Sequence, residues 1–145
     1  MKLRTSIAAA TAAALIGGGA LAVPAFASPQ ATTHKLSFIS VTKTEVNFSK
    51  TSVGVQETDV SKAGKIVGFD EIYGVAVSAT ASAANVTIVT TGGMLYGTFD
   101  ISLVTGKITD GKVTGGTGQF KKATGTLTAS AINNVKTAVT ITYHT

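Results

Sequence analysis

The stretch that decides the fold is Gly115-Gly116-Thr117-Gly118-Gln119-Phe120-Lys121-Lys122-Ala123-Thr124-Gly125. Its glycines permit positive φ angles and close approach of backbones, so a segment of this kind can cross the end of a barrel tightly. Phe120 is expected to plug that end, and Thr117 to tie the loop to backbone groups. The stretch therefore predicts a structural motif and not a catalytic one, formed by Gly115, Gly116, Thr117, Gly118, Phe120 and Gly125.

The chain on both sides of this stretch has the pattern of β-strands. From Lys35 onward Val, Ile and Thr dominate, apolar and polar residues alternate with period two, and Gly or Asn interrupts the runs. We predict eight strands, over 36–47, 53–60, 65–78, 85–91, 94–104, 107–113, 125–132 and 135–144. Short turns force antiparallel neighbours, and closure removes both exposed edges of such a sheet. The predicted fold is therefore all-β, an eight-stranded antiparallel β-barrel, with a two-sheet sandwich as the alternative.

The first residues are typical of a secretory signal. Lys2 and Arg4 give a basic start, an apolar run follows over 7–23, and Ala25-Phe26-Ala27 supplies a cleavage site of the small-x-small type. Cleavage after Ala27 divides the chain into a signal peptide (1–27), a flexible leader (28–34) and one barrel domain (35–145). The part after the cleavage site keeps ten Lys and all seven acids, a net charge of +3. We therefore expect a secreted, extracellular protein.

The composition excludes several classes of protein. There is no cysteine, which rules out disulfides, thiolate nucleophiles, Cys-ligated zinc and a lipid-anchored cysteine. No second apolar run approaches the ~20 residues of a membrane span. The lysines are scattered and no Arg follows Arg4, so the basic balance does not predict nucleic-acid binding. We expect neither a nucleic-acid partner nor a membrane span.

Metal and cofactor signatures are also missing from the sequence. His34 and His144 lie near the two ends of the domain without the spacing of a metal site. The stretch 106–112 imitates a phosphate-binding loop, but Val113 stands where that loop needs Ser or Thr, and no helix follows. The sequence therefore predicts no metal and no cofactor.

The glycine-rich stretch also carries a family resemblance. Its pattern G-G-T-G-x-F-x-x-A-x-G over 115–125 resembles the signature of dirigent proteins, which share the barrel of the allene oxide cyclases. The segments 64–68, 93–99 and 138–144 resemble a hairpin entry, a strand start and the last strand of the same family. The resemblance covers the chain from about Leu36, and the small, exported, Arg-poor sequence is similar to bacterial members.

The resemblance implies a barrel that holds a small hydrophobic or aromatic molecule and steers its coupling or cyclisation. It also implies a homodimer or homotrimer. Plant dirigent proteins use acidic residues and Arg in their pocket, and that constellation does not carry over because no Arg follows Arg4. No catalytic residue is carried over from either branch of the family.

The candidate site residues come from the two long strands expected to be central, and they are Asp70, Glu71, Tyr73, Tyr96, Thr98 and Asp100. The three acids are the catalytic candidates, because a carboxylate inside an apolar barrel has a raised pKa and can act as acid or base. Tyr73, Tyr96 and Thr98 are the ligand-binding candidates. Asp70 and Asp100 lie on the more polar faces together with Tyr96 and Thr98, so these four residues are candidates for convergence, with solvent-facing acids as the alternative. Alternation defines two faces for each strand and leaves open which face is inward.

Two classes of function remain open at this stage. One is a barrel that binds a small hydrophobic or aromatic molecule, and the other is a non-enzymatic secreted or cell-envelope protein that uses the barrel as a scaffold. A cavity of about 300 Å³ or more, open at one end and lined by Tyr and a buried acid, favours the first class. An interior filled by Leu, Ile, Phe and Val favours the second.

Overall fold

The computed structural model describes residues 31–145, so the predicted signal peptide lies outside the described residues. The strands are β1 (Thr33–Asn47), β2 (Ser52–Val60), β3 (Ile66–Ala76), β4 (Ala81–Thr90), β5 (Gly93–Ser102), β6 (Ile108–Gly116), β7 (Thr124–Asn133) and β8 (Lys136–His144). A single 3-10 turn, Gly118–Phe120, lies between β6 and β7. Within 31–145, no helix has the length and apolar character needed to cross a membrane.

The eight strands form one closed barrel in sequence order, with every neighbouring pair antiparallel. The first and last strands complete the ring, with Leu36 opposite Ile141 and Phe38 opposite Val139. Closure gives every strand two hydrogen-bonded neighbours and leaves no open edge. The predicted eight-stranded antiparallel barrel is confirmed, and the sandwich alternative is wrong.

Three strand boundaries differ from the sequence prediction by three residues or more, and one of them is the end of β6, which lies at Gly116 where Val113 was predicted. β4 begins at Ala81, within a segment of small residues that was expected to be a loop, and it pairs there with the end of β3. Small side chains weaken a strand signal, but Ser82 and Ala84 are buried inside the barrel, where little room is left for larger ones. β1 begins at Thr33, inside the predicted leader, because its first residues pair with the end of β8.

Phe120 closes one end of the barrel. Its side chain is 0% exposed, and its ring packs edge-on against Tyr143 with centroids 5.4 Å apart. Gly116 makes room for it, since a Cβ at that position would lie 2.6 Å from the Cβ of Phe120. The Thr117 hydroxyl accepts a hydrogen bond of 3.0 Å from the Met94 backbone N–H and so ties the segment to β5. We call this the plug end, and the opposite end the open end.

Strands β3 and β5 turn opposite kinds of face inward. On β5 the apolar residues Leu95 and Phe99 are buried inside the barrel. On β3 the inward face is the small and polar one, which includes Gly68 and Asp70, while large apolar side chains such as Phe69 face outward. A Cβ on Gly68 would lie 2.5 Å from the Val89 carbonyl oxygen, so only glycine fits at that position. Asp70 lies on the same inward face as Gly68, so its carboxyl enters the interior.

Candidate functional site

A cavity of about 270 Å³ occupies the barrel interior toward the open end. One wall is aliphatic and aromatic and comes from β4 to β8, and its side chains are Val86, Ile88, Phe99, Ile101, Ile108, Leu127, Ala129 and Val139. The facing wall comes from β1 to β3 and contains Thr42, Glu57 and Asp70 among Val53, Val55 and Ile72. The interior is thus apolar on one side and acidic on the other.

Three carboxyl groups lie side by side on the acidic wall, and we call Glu57, Asp59 and Asp70 the carboxyl cluster. Glu57 and Asp59 are two residues apart on β2, so both side chains point inward. In the strand register Glu57 lies opposite Asp70 of β3, and Asp59 lies opposite Ser40 of β1. Asp59 and Asp70 are only 1% and 3% exposed. The register of three adjacent strands therefore assembles the cluster.

The Ser40 hydroxyl joins the two buried aspartates. Its Oγ lies 2.9 Å from Asp59 Oδ1 and 2.9 Å from Asp70 Oδ2. A hydroxyl carries one hydrogen and can donate to only one of these oxygens. The second contact becomes a hydrogen bond when the other carboxyl is protonated and donates to Ser40. The geometry therefore favours a state in which the two aspartates hold at least one proton.

Burial shifts the acidity of all three groups in the same direction. Removal from water and then the charge of Asp59 raise the pKa of Asp70 from 3.8 to about 7, against the lowering effect of the Ser40 hydrogen bond. Burial likewise raises the pKa of Glu57 from 4.5 to about 7, although the Thr42 hydroxyl donates a 2.7 Å hydrogen bond to its Oε1. Burial also raises the pKa of Asp59. Near neutral pH the cluster can both give and take a proton.

The carboxyl cluster has incomplete hydrogen bonding. Asp59 Oδ2 and Asp70 Oδ1 are buried and have no hydrogen-bond partner among the described residues. All ten Lys of the described range are exposed, so none of them neutralises the cluster from inside the barrel. A buried polar atom without a partner is costly and marks a place where a ligand can complete the site.

The structure separates the three predicted catalytic candidates. Asp70 lies inside the barrel and lines the cavity. Glu71 faces outward, where its carboxylate accepts a 3.1 Å hydrogen bond from the Gln56 amide. Asp100 is exposed on the outer face of β5. The expected convergence of Asp70 and Asp100 is therefore wrong. Asp70 is on the inward face of β3 and Asp100 is on the outward face of β5, so the two carboxyls lie on opposite sides of the barrel wall.

The predicted ligand-binding residues lie outside the barrel. Tyr73 is exposed on β3 and packs against Phe48, with ring centroids 6.0 Å apart, in a groove on the outer surface. Tyr96 and Thr98 alternate with the inward residues of β5 and therefore point outward. None of the three lines the interior cavity, so we do not assign them to this site.

Sequence reasoning missed Glu57, Asp59 and Ser40. The signal was present on β2, where Val53, Val55, Glu57 and Asp59 occupy one face in the pattern V-x-V-x-E-x-D. An apolar face that continues into two acids indicates carboxyls that enter a core. The turn that follows Val60 joins β2 to β3 as a hairpin. The register of this hairpin sets Glu57 opposite Asp70.

The two histidines lie on neighbouring strands at the plug end, and their side chains point to opposite faces of the sheet. Thr33 lies opposite His144 and His34 opposite Tyr143 in the β1–β8 register, and the His34 ring stacks on Tyr143 with centroids 5.1 Å apart. Both histidines are exposed. In the part of the chain that the structure describes, no group of three or more His, Cys, Asp or Glu side chains is arranged to hold a metal ion.

Known structures share this architecture. No protein-family profile and no curated protein matches the sequence. A pyocyanin demethylase matches the structure with a TM-score of 0.64 and 16% sequence identity, over 76% of this chain and 99% of that protein. A pterocarpan synthase dirigent protein matches with a TM-score of 0.57 and 14% identity, over 79% of this chain and 89% of that protein. The chain has the eight-stranded antiparallel barrel fold of dirigent and allene oxide cyclase-like proteins.

Proposed function

We propose that the barrel binds a small hydrophobic or aromatic molecule in its interior cavity and steers the coupling or cyclisation of that molecule. The observation that carries the proposal is the cavity of about 270 Å³ whose apolar wall faces the carboxyl groups of Glu57 and Asp70. Apolar pockets with a few convergent polar groups are the usual form of a small-molecule site. The cavity is slightly smaller than the ~300 Å³ at which typical ligand pockets begin, and its lining contains buried acids but no tyrosine.

The size of the cavity limits the ligand. An apolar cavity of roughly 150 Å³ in another protein holds one benzene molecule, and typical ligand pockets begin near 300 Å³. A volume of about 270 Å³ therefore suits a molecule of about one or two rings. Its ring system would pack on Phe99 and the aliphatic wall, while its polar group would point to the carboxyl cluster.

The carboxyl cluster supplies the chemistry of the proposed reaction. A group with a pKa of about 7, such as Asp70, is present in both its acid and base forms at neutral pH. In its acid form it donates a proton to an oxygen or nitrogen of the bound molecule, and in its base form it accepts one. The apolar wall holds the reacting atoms in one orientation, which favours a single product over those formed in free solution.

A larger side chain inside the cavity should block ligand binding if the cavity is the binding site. We expect Ala129→Leu to weaken binding of the neutral fluorescent probe 2-naphthol by about tenfold or more, because the added side chain occupies cavity volume. Ser130→Leu on the outer face of the same strand is the matched control and should leave the affinity unchanged. Fluorescence titration measures both variants. Equal affinities of wild type and Ala129→Leu would place the probe elsewhere and contradict the proposal.

A second candidate function, the non-enzymatic scaffold, is favoured by the outer face of β3. This face exposes the large apolar side chains of Val67, Phe69, Tyr73 and Val75. Contiguous exposed apolar surface is typical of protein–protein contacts, and a second copy of this chain is the partner we consider. If the barrel is a scaffold, sedimentation experiments should show a dimer or trimer whose amount rises with protein concentration. Phe69→Ser should abolish this association. Native mass spectrometry of protein from its own culture should then show no retained small molecule.

We also propose that the protein is exported and that its signal peptide is removed. This proposal rests on the N-terminal sequence, with Lys2 and Arg4 before an apolar run and a cleavage site that ends at Ala27. Mass determination of the protein from the culture medium should give a chain that begins at Ser28.

A further inference from the structure

We propose that the molecule held in the cavity carries a positively charged nitrogen, a protonated amine, which pairs with Asp70 and Glu57. This inference rests on the proposed binding function and names the chemical class of its ligand.

The charges around the cavity are all of one sign. Glu57 and Asp70 line the cavity, Glu45 lies at its rim, and Asp59 lies beside Asp70 in the carboxyl cluster. Among the described residues that line the cavity, none is Lys, Arg or His. A buried carboxylate is stable only when it is paired or hydrogen-bonded, so a cationic ligand would be the counter-ion that the interior lacks.

The hydrogen bonding of Asp70 points to a donor on the ligand. Its Oδ2 lies beside the Ser40 hydroxyl, and its Oδ1 is buried without a partner. Asp70 is only 3% exposed and its Oδ1 has almost no accessible surface, so a ligand donor would reach this oxygen once the carboxyl turns toward the cavity that Asp70 lines. An ammonium group has three donors, enough to reach both Asp70 and Glu57, whereas a hydroxyl has one.

The opposite wall suits the rest of such a molecule. Phe99 and Leu127 line the cavity on that wall, and Ile88 lies beside Asp70 as its cross-strand neighbour on β4. The site therefore places an apolar surface next to two carboxyls within a single cavity that opens at one end of the barrel. This arrangement selects an amphipathic cation over an inorganic ion, which would leave the apolar wall empty.

Binding of the amine would be linked to proton release. Below neutral pH the empty site holds a proton on Asp70, whose pKa is about 7. The exchange is balanced: R–NH3⁺ and the Asp70 carboxylic acid give the R–NH3⁺ carboxylate pair and one H⁺, which leaves for solvent. The affinity for the amine should therefore rise with pH up to about pH 8 and level off above it.

The experiment compares ligands that share a skeleton and differ in charge. The probes are tryptamine, tryptophol and indole-3-propionate, together with the pair 1-naphthylmethylamine and 1-naphthalenemethanol, measured by isothermal titration calorimetry at pH 8. We expect each amine to bind about tenfold or more tightly than its alcohol, since charge-assisted hydrogen bonds are roughly twice as strong as neutral ones. The anion should not bind detectably. At pH 6, titrations in two buffers of different ionisation enthalpy should show release of about one proton per amine bound if Asp70 alone ionises, and up to about two if Glu57 ionises with it.

Matched variants locate the effect. Asp70→Asn should remove the preference for the amine by weakening amine binding far more than alcohol binding, and Glu57→Gln should reduce the preference. Asp100→Asn, an exposed acid on the outer face, should behave as wild type. Alcohols that bind as tightly as amines would overturn the charge inference and leave the proposed function standing. A preference for amines that survives both carboxyl variants would overturn the assigned site. Failure of the amines, the alcohols and 2-naphthol to bind would overturn the inference and the proposed function together.

Discussion

The purified protein should be more stable toward unfolding at pH 5 than at pH 8, and Asp70→Asn should remove much of that difference. The pKa of Asp70 rises from 3.8 to about 7 on folding, so between these values the folded state binds more protons than the unfolded state. Stability therefore falls as pH rises from about 4 to about 7 and is level above. Each pKa unit corresponds to about 1.4 kcal/mol, so the whole shift of Asp70 is worth at most on the order of 4 kcal/mol, of which roughly 3 kcal/mol falls between pH 5 and pH 8. Glu57 acts in the same direction, with a pKa raised to about 7.

Urea denaturation at a series of pH values measures this effect. At pH 8 we expect Asp70→Asn to exceed wild type in free energy of unfolding by about 2 kcal/mol, because the amide avoids the cost of a buried charge. The control is Asp100→Asn, whose side chain is exposed and whose pH profile should run parallel to that of wild type. Stability that increases from pH 5 to pH 8 would show that the interior carboxyls are not protonated in the folded state.

Phe120→Ala should destabilise the barrel by about 3–5 kcal/mol, the usual cost of removing a fully buried aromatic side chain. The Phe120 ring is 0% exposed and packs against Tyr143 at the plug end. Gly116 leaves space for this ring, and the backbone around it cannot readily collapse because β5 and β6 are held in the closed ladder. Truncation would therefore leave a cavity at the end of the barrel that is otherwise sealed.

Phe69→Ala is the matched control, since Phe69 is the same residue type at 54% exposure on the outer face of β3. We expect it to change the free energy of unfolding by less than about 1 kcal/mol. Chemical denaturation followed by far-ultraviolet circular dichroism compares the two variants. Similar losses for both would mean that Phe120 is not the element that seals the barrel.

The two ends of the barrel differ in what they contribute. The plug end holds Phe120, Leu95 and Ile141 fully buried, and it supplies much of the packing. Toward the open end, packing gives way to a cavity with two carboxyls, Glu57 and Asp70. Buried acids with raised pKa lower stability at neutral pH and cluster at functional sites in proteins generally. Their position beside an apolar cavity supports a binding role for this half of the barrel.

Part of the candidate site could be predicted from the sequence. Asp70 was identified because a carboxyl on the polar face of a long strand can enter a barrel, and the structure places it in the interior. Glu57 and Asp59 were not identified, although the pattern of β2 contains them. Recognising them required the register of the β2–β3 hairpin, which sets Glu57 opposite Asp70. Ser40 depends on a further register, between β1 and β2, that no local pattern defines.

The sequence by itself determined the number of strands, their antiparallel order and the glycine-rich segment at 115–125, because period-two alternation and turn residues are local properties. It favoured closure of the sheet over a sandwich, and the tertiary structure decided between the two. Only the tertiary structure decided which face of each strand lies inside. Alternation marks two faces equally, and the choice depends on which side chains the barrel interior can hold. On β3 the small and acidic face lies inside and the large apolar face outside, and the inward position 68 leaves space for glycine alone beside the Val89 carbonyl.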